Sequence, residues 1–170
     1  MTRIALTVFL VAWLTGCAST EPSTIASDEA EIQAVYDSIA AGIEARDIER
    51  VTAHSATDAR VEYADGTQLA LADWKESARA KWSNFKRAES DFVVTSVQRN
   101  EQGAIITYVE MDDMVVVDPT TKQEHHVEYE GEWCAQLLHT ESGWKLHRSV
   151  EQGRRVKLDG KIADETRRKT

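Results

Sequence analysis

Between Asp28 and Glu44 the apolar residues Ile32, Val35, Tyr36, Ile39 and Ile43 recur at spacings of three and four, which predicts one buried stripe on a helix. Ser27 can cap its start, and Arg46-Asp47 interrupts the pattern. Ile48 and Val51 then predict a short second helix reaching His54, and Arg60 to Tyr63 a short strand closed by the turn pair Asp65-Gly66. Asp73 followed by Glu76 has the capping-box arrangement, opening a third helix whose Trp74, Ala78, Trp82 and Phe85 share a face. Beyond that point the runs Phe92–Gln98, Ala104–Val117, Gln123–Leu138 and Trp144–Glu151 are strand-like and separated by short polar turns, as antiparallel hairpins require. Three helices followed by a meander predict an α+β domain with the helices against one sheet face.

The N-terminus has a different organisation. Arg3 precedes an uncharged run from Ile4 to Leu14, too short to span a bilayer, and Leu14-Thr15-Gly16-Cys17 follows it. This layout resembles the signal peptide and lipobox of bacterial lipoproteins. The resemblance implies that residues 1–16 are an export signal and that Cys17 carries the lipid. Residues 17–27, small, polar and broken by Pro22, read as a flexible tether. Residues 28–152 are then one domain and 153–170 a basic tail. The implied location is the bacterial cell envelope, anchored through Cys17 to the outer membrane and facing the periplasm.

The net charge of −9 makes a nucleic-acid partner a poor fit. Residues 154–170 run against the trend, with seven basic side chains against Asp159, Asp164 and Glu165. With Cys17 lipidated, Cys134 has no partner for a disulfide and reads as a half-buried small hydrophobe. No Gly-rich phosphate loop or paired CxxC is present, so neither a cofactor nor a metal is expected.

The order of elements is informative: a helix, then Ala45-Arg46-Asp47-Ile48-Glu49-Arg50-Val51, the strand Asp58-Ala59-Arg60-Val61-Glu62-Tyr63, Asp65-Gly66, a helix, and long hairpins ending in Gly143-Trp144-Lys145-Leu146. It resembles the nuclear transport factor 2-like superfamily, particularly its SnoaL-like bacterial members, over roughly Asp28 to Gln152. The resemblance implies a strongly curved antiparallel sheet wrapped around three N-terminal helices as a cone, with an apolar pocket at its open end. Isomerases, dehydratases, polyketide cyclases and ligand binders share that fold, so the site must decide the function.

Two faces of the strand Ala104–Val117 compete for the interior. Ile105, Thr107, Val109, Met111, Asp113, Val115 and Val117 form the more apolar one, which predicts that Asp113 is a lone carboxylate facing the pocket. A tight hairpin would set it opposite or beside His125, giving an Asp113–His125 proton-transfer pair, or else a structural ion pair where the sheet leaves the core. Tyr36, Trp82, Tyr129 and Trp133 are candidates for a pocket lining or for plain core. His126, Glu128, Glu130 and Glu132 share the opposite face and read as solvated, while His54, His139 and His147 are isolated. The residues favour a non-catalytic module that binds a small apolar ligand or a protein partner. The alternative is an isomerase, dehydratase or cyclase with Asp113 as base; a homodimer stays open.

Overall fold

The computed structural model describes residues 22–169, with the backbone alone for residues 22–26. The predicted signal peptide, Cys17 and the start of the tether lie outside them. Helix α1 (Pro22–Ala45) and the short α2 (Ile48–Thr52) are followed by β1 (Ser55–Glu62), β2 (Gln68–Ala70) and α3 (Leu71–Trp82). Five strands complete the domain: β3 (Phe85–Asn100), β4 (Gly103–Val117), β5 (Glu124–Thr140), β6 (Gly143–Leu158) and β7 (Lys161–Arg167). They form a curved seven-stranded sheet in the order β2-β1-β6-β5-β4-β3, with β7 also on β6. All neighbouring pairs are antiparallel except β1 and β6, which run parallel, Ser55 opposite Leu146 and Glu62 opposite Val150.

The stripe on α1 is the heart of the core. Ile32, Val35, Tyr36, Ile39 and Ile43 are all buried, packed with Ile48 and Val51 of α2 and with Ala78 and Trp82 of α3 against the sheet. Two polar devices dock α1 on the edge strand β3. The Gln33 amide donates to Phe92 O (2.7 Å) and accepts from Val94 N (3.1 Å), doing for that edge what a further strand would do. Asp28 is buried against Arg99, whose guanidinium also lies 4.8 Å above the Trp144 ring. Asp47 caps α2 by accepting from Glu49 N and Arg50 N, both at 3.1 Å.

The structure departs from the sequence pattern in four places. Helix α1 begins at Pro22, so residues 22–27, read as tether, are helical. Helix α3 begins at Leu71 with Ala70 at its cap, two residues ahead of the Asp73 capping box, because β2 delivers the chain directly into the helix. Phe85 starts β3 instead of ending α3. The basic tail is sheet: β6 continues to Leu158 and β7 returns beside it, its cations held by acidic neighbours in the ion pairs Arg154–Asp164 (2.6 Å) and Arg167–Glu132 (2.5 Å).

Candidate functional site

Register decides what faces the interior. Across β4 and β5, Tyr108 pairs with Trp133, Glu110 with Gly131 and Asp112 with Tyr129. Even-numbered residues of β4 and odd-numbered residues of β5 therefore share one face, and Ile106, Tyr108, Trp133, Ala135 and Leu137 are buried on it. That face, with α1 and α3, encloses a cavity of about 260 Å³. Tyr36, Trp82, Tyr129 and Trp133, the candidate pocket residues, all line it, together with Tyr63, Trp74, Phe92, Tyr108, Ser149, Glu110 and Asp112.

The pairing proposed from sequence is not formed. Asp113 lies on the outer face, 43% exposed at its side chain, where it accepts from Arg87 (2.8 Å) and meets His126 Nε2 at 3.0 Å. Its carboxyl is held below the usual range by the His126 bond first and by Arg87 as well, the opposite of what a buried base requires. His125 is opposite Val116, not Asp113, and its Nδ1 is 2.8 Å from Asp159 at the β6–β7 turn. The more apolar face of β4 is thus the outer one, with Ile105 and Met111 exposed, because the inner face has given up aliphatic residues for a tyrosine and two acids.

Those two acids, Glu110 and Asp112, are the residues that the sequence reading missed. Glu110 is held well above the usual carboxylate range, by burial first and then by the charges of Asp112 and Glu151. Its carboxyl reaches the cavity, so it retains some accessible surface while being ringed by protein. Asp112 is pushed up to about 6 by burial, against which the Ser90 hydroxyl, donating at 2.5 Å, works as a counterweight.

Gly131 makes room for this arrangement. A Cβ there would come within 2.6 Å of Trp133 Nε1 and closer still to Tyr129 Oη, so only glycine lets both rings lean together opposite Glu110. A glycine in mid-strand, with Tyr129 and Trp133 on either side, is the signal in the sequence that could have pointed to the site.

Three buried donors on the cavity wall are left without partners among the described residues: Tyr36 Oη, Trp133 Nε1 and Ser149 Oγ. Tyr36 and Ser149 approach Tyr108, and Trp133 approaches Glu110, near enough to influence their ionisation but short of normal hydrogen-bond geometry. Buried donors of this kind are rare in native proteins.

Behind the wall lies Glu151, fully buried. It accepts from Tyr129 Oη (2.8 Å), Ala64 N (2.8 Å) and Arg154 (3.0 Å). Burial works against the Arg154 charge, yet the carboxylates of Asp164 and Glu151 hold it above its ordinary range. Arg154 also reaches Asp65 at 3.4 Å, so one guanidinium ties the wall, the β1–β2 turn and β7 together. On the outer face Glu128, Glu130 and Glu132 are matched by Lys157, Arg155 and Arg167, and Cys134 is a partly buried free thiol.

No family model matches the sequence, and no curated protein matches it. Solved structures do match its fold. A scytalone dehydratase-like protein of Novosphingobium aromaticivorans is similar with a TM-score of 0.68 at 13% identity, covering 87% of this chain and 92% of that one. A nuclear transport factor 2-like superfamily protein of Salmonella enterica gives 0.61 at 10% identity, over 74% and 90% of the two chains. A ketosteroid isomerase-like protein of Erwinia carotovora gives 0.56 at 13%, over 73% and 94%.

Proposed function

We propose, for a chain whose fold is nuclear transport factor 2-like, that its cavity takes up a small and mostly apolar molecule and moves a proton on it. The observation that carries this reading is the pair of carboxyls, Glu110 and Asp112, that burial holds above the usual range inside an aromatic cavity with unpartnered donors. Asp112, at about 6, is mostly ionised near neutral pH and still basic enough to accept a proton from a carbon beside a carbonyl. Tyr36 and Tyr108, their rings 4.6 Å apart, offer hydroxyls to the oxygen on which negative charge then develops. Both phenols are raised by burial, which keeps them as donors at neutral pH. This is isomerase or dehydratase chemistry with Asp112, not Asp113, as the base.

The test is the shift of the double bond in 3-cyclohexen-1-one into conjugation, followed by ultraviolet absorbance, and α-deuterium exchange of acetophenone in heavy water, followed by NMR. Replacing Asp112 by Asn should lower either rate by about 100-fold or more, the contribution of a placed general base. Equal rates for parent and D112N, or rates no faster than buffer, would overturn the proton-transfer reading and leave a binding module.

Placement in the envelope is a separate inference, supported by Leu14-Thr15-Gly16-Cys17 after its apolar run. Cells fed labelled palmitate should label the chain, and Cys17→Ser should abolish both the label and its membrane fraction. Label retained in that variant would refute the anchor.

A further inference from the structure

We propose that the molecule admitted to this cavity is an organic cation, a primary amine on a compact apolar body, with Glu110 as its anchoring carboxylate. The inference rests on the cavity reading above and names the class of molecule that the cavity selects.

Three observations lead there. The first is the sign of the charge inside. Glu110 and Asp112 both line the cavity, Glu151 stands close enough behind it to act on Glu110, and the cations in its lining, Arg60 and Lys81, sit on exposed positions. Arg154, behind the wall, is taken up by Glu151 and Asp164 at 3.0 and 2.6 Å. The interior thus holds two carboxyls with no cation paired to them among the described residues; a neutral ligand leaves their charged forms unsupported, whereas an ammonium group stabilises them.

The second is the wall. Tyr36, Phe92, Tyr108 and Trp133 form a continuous aromatic cluster, with centroids 4.6 Å apart for Tyr36–Tyr108, 5.6 Å for Tyr36–Phe92 and 6.1 Å for Tyr108–Trp133. Ring faces attract a desolvated ammonium, and carboxylates among aromatic rings satisfy both its charge and its apolar body.

The third is the set of unpartnered groups. Tyr36 and Trp133 are 1% and 6% exposed, with Oη and Nε1 unpaired among the described residues. A phenol oxygen can accept from an ammonium N–H, and the indole N–H can complete its bond to Glu110 once that group is a full anion. One ligand charge satisfies both. The acidic chain, at −9, also draws cations toward the cavity from solution.

Ionisation follows. Glu110 faces Asp112 on its own strand, Tyr36 from α1, Tyr63 just after β1, Tyr129 from β5 and Glu151, paired with Arg154, from β6. In the empty cavity burial and the neighbouring carboxylates favour its protonated form. When the ammonium enters, the Glu110 O–H bond breaks, its proton leaves to buffer, and the carboxylate faces the cation. Binding therefore releases protons.

The experiment is isothermal titration calorimetry of the full chain at pH 7 with 2-phenylethylamine, 2-phenylethanol and 3-phenylpropanoate, repeated in two buffers of different ionisation enthalpy. The expected result is amine affinity at least tenfold above the alcohol, still weaker binding of the carboxylate, and a heat difference between buffers for the amine only. E110Q should lose at least tenfold for the amine and hold the alcohol within twofold, a check that the variant keeps its cavity. Alcohol and amine binding alike, or E110Q leaving the amine unmoved, overturns the cation preference while the proton-transfer reading stands. Failure of all three ligands overturns the cavity reading itself.

Discussion

The ionisation of Asp112 should cost the fold stability, and its removal should return it. Its carboxyl moves from an ordinary 3.8 to about 6 on folding, a displacement of about two units or roughly 3 kcal/mol. The sign follows from linkage. Between those two values the folded state holds the proton and the unfolded chain does not, so the contribution is fully present below about pH 4 and lost as pH rises through 6. Asparagine at this position cannot ionise, and its amide oxygen can still accept from Ser90. It also removes one of the charges that raise Glu110. D112N should therefore match the parent near pH 3 and exceed it by up to about 3 kcal/mol at pH 8, with the divergence centred between pH 4 and 6. Urea denaturation of both proteins across that range measures the difference. Curves that stay parallel with pH, or a variant less stable at pH 8, would refute the claim that Asp112 is ionised against a desolvation penalty. A variant more stable yet slower in the exchange assay is the signature of a site kept at the expense of the fold.

Further outcomes follow from the same geometry. Gly131→Ala should destabilise by about 1–3 kcal/mol, since Tyr129 and Trp133 must both move, and should weaken uptake of 2-phenylethylamine more than it changes the circular dichroism spectrum. Arg154→Met leaves Glu151 buried without its cation and should cost about 3–5 kcal/mol, with the loss largely recovered by adding Glu151→Gln; thermal denaturation of the single and double variants tests this. Asp113→Asn removes only exposed ion pairs, so its effect should stay under about 1 kcal/mol in urea denaturation, shrink with added salt and leave the exchange rate unchanged.

Much of the fold could be read from periodicity, and the reason differs by element. The α1 stripe was unambiguous because every residue in it is aliphatic or aromatic and every one is buried. On β5, Tyr129, Trp133, Ala135 and Leu137 alternate with Glu128, Glu130 and Glu132, a pattern that marks the inner face, and the last three of those four apolar residues are buried. Strand β4 misled because hydrophobicity is a guide to the interior only where the interior is apolar. Its inner face carries Glu110 and Asp112, while Ile105 and Met111 stand at 43% and 41% exposure outside, so counting apolar residues selects the wrong parity. A register argument from Tyr129 and Trp133 would have corrected it. Strand β7 was illegible for another reason: Lys161–Arg167 has no apolar alternation, and its place is held by ion pairs, Arg154–Asp164 across the β6–β7 hairpin and Arg167–Glu132 to the more distant β5.

The parallel join of β1 to β6 has a consequence for how the chain comes together. Glu62 lies opposite Val150, so a strand from the first half of the domain finds its partner only in β6, after four other strands have been made. The helices emerge early with one side of their core missing, and Trp144, buried in that core, arrives with β6. Contacts of such long sequence separation slow folding and leave little stable structure in an incomplete chain. Assembly should therefore be late and cooperative, with loss of the final strands costing the whole domain and not merely its end.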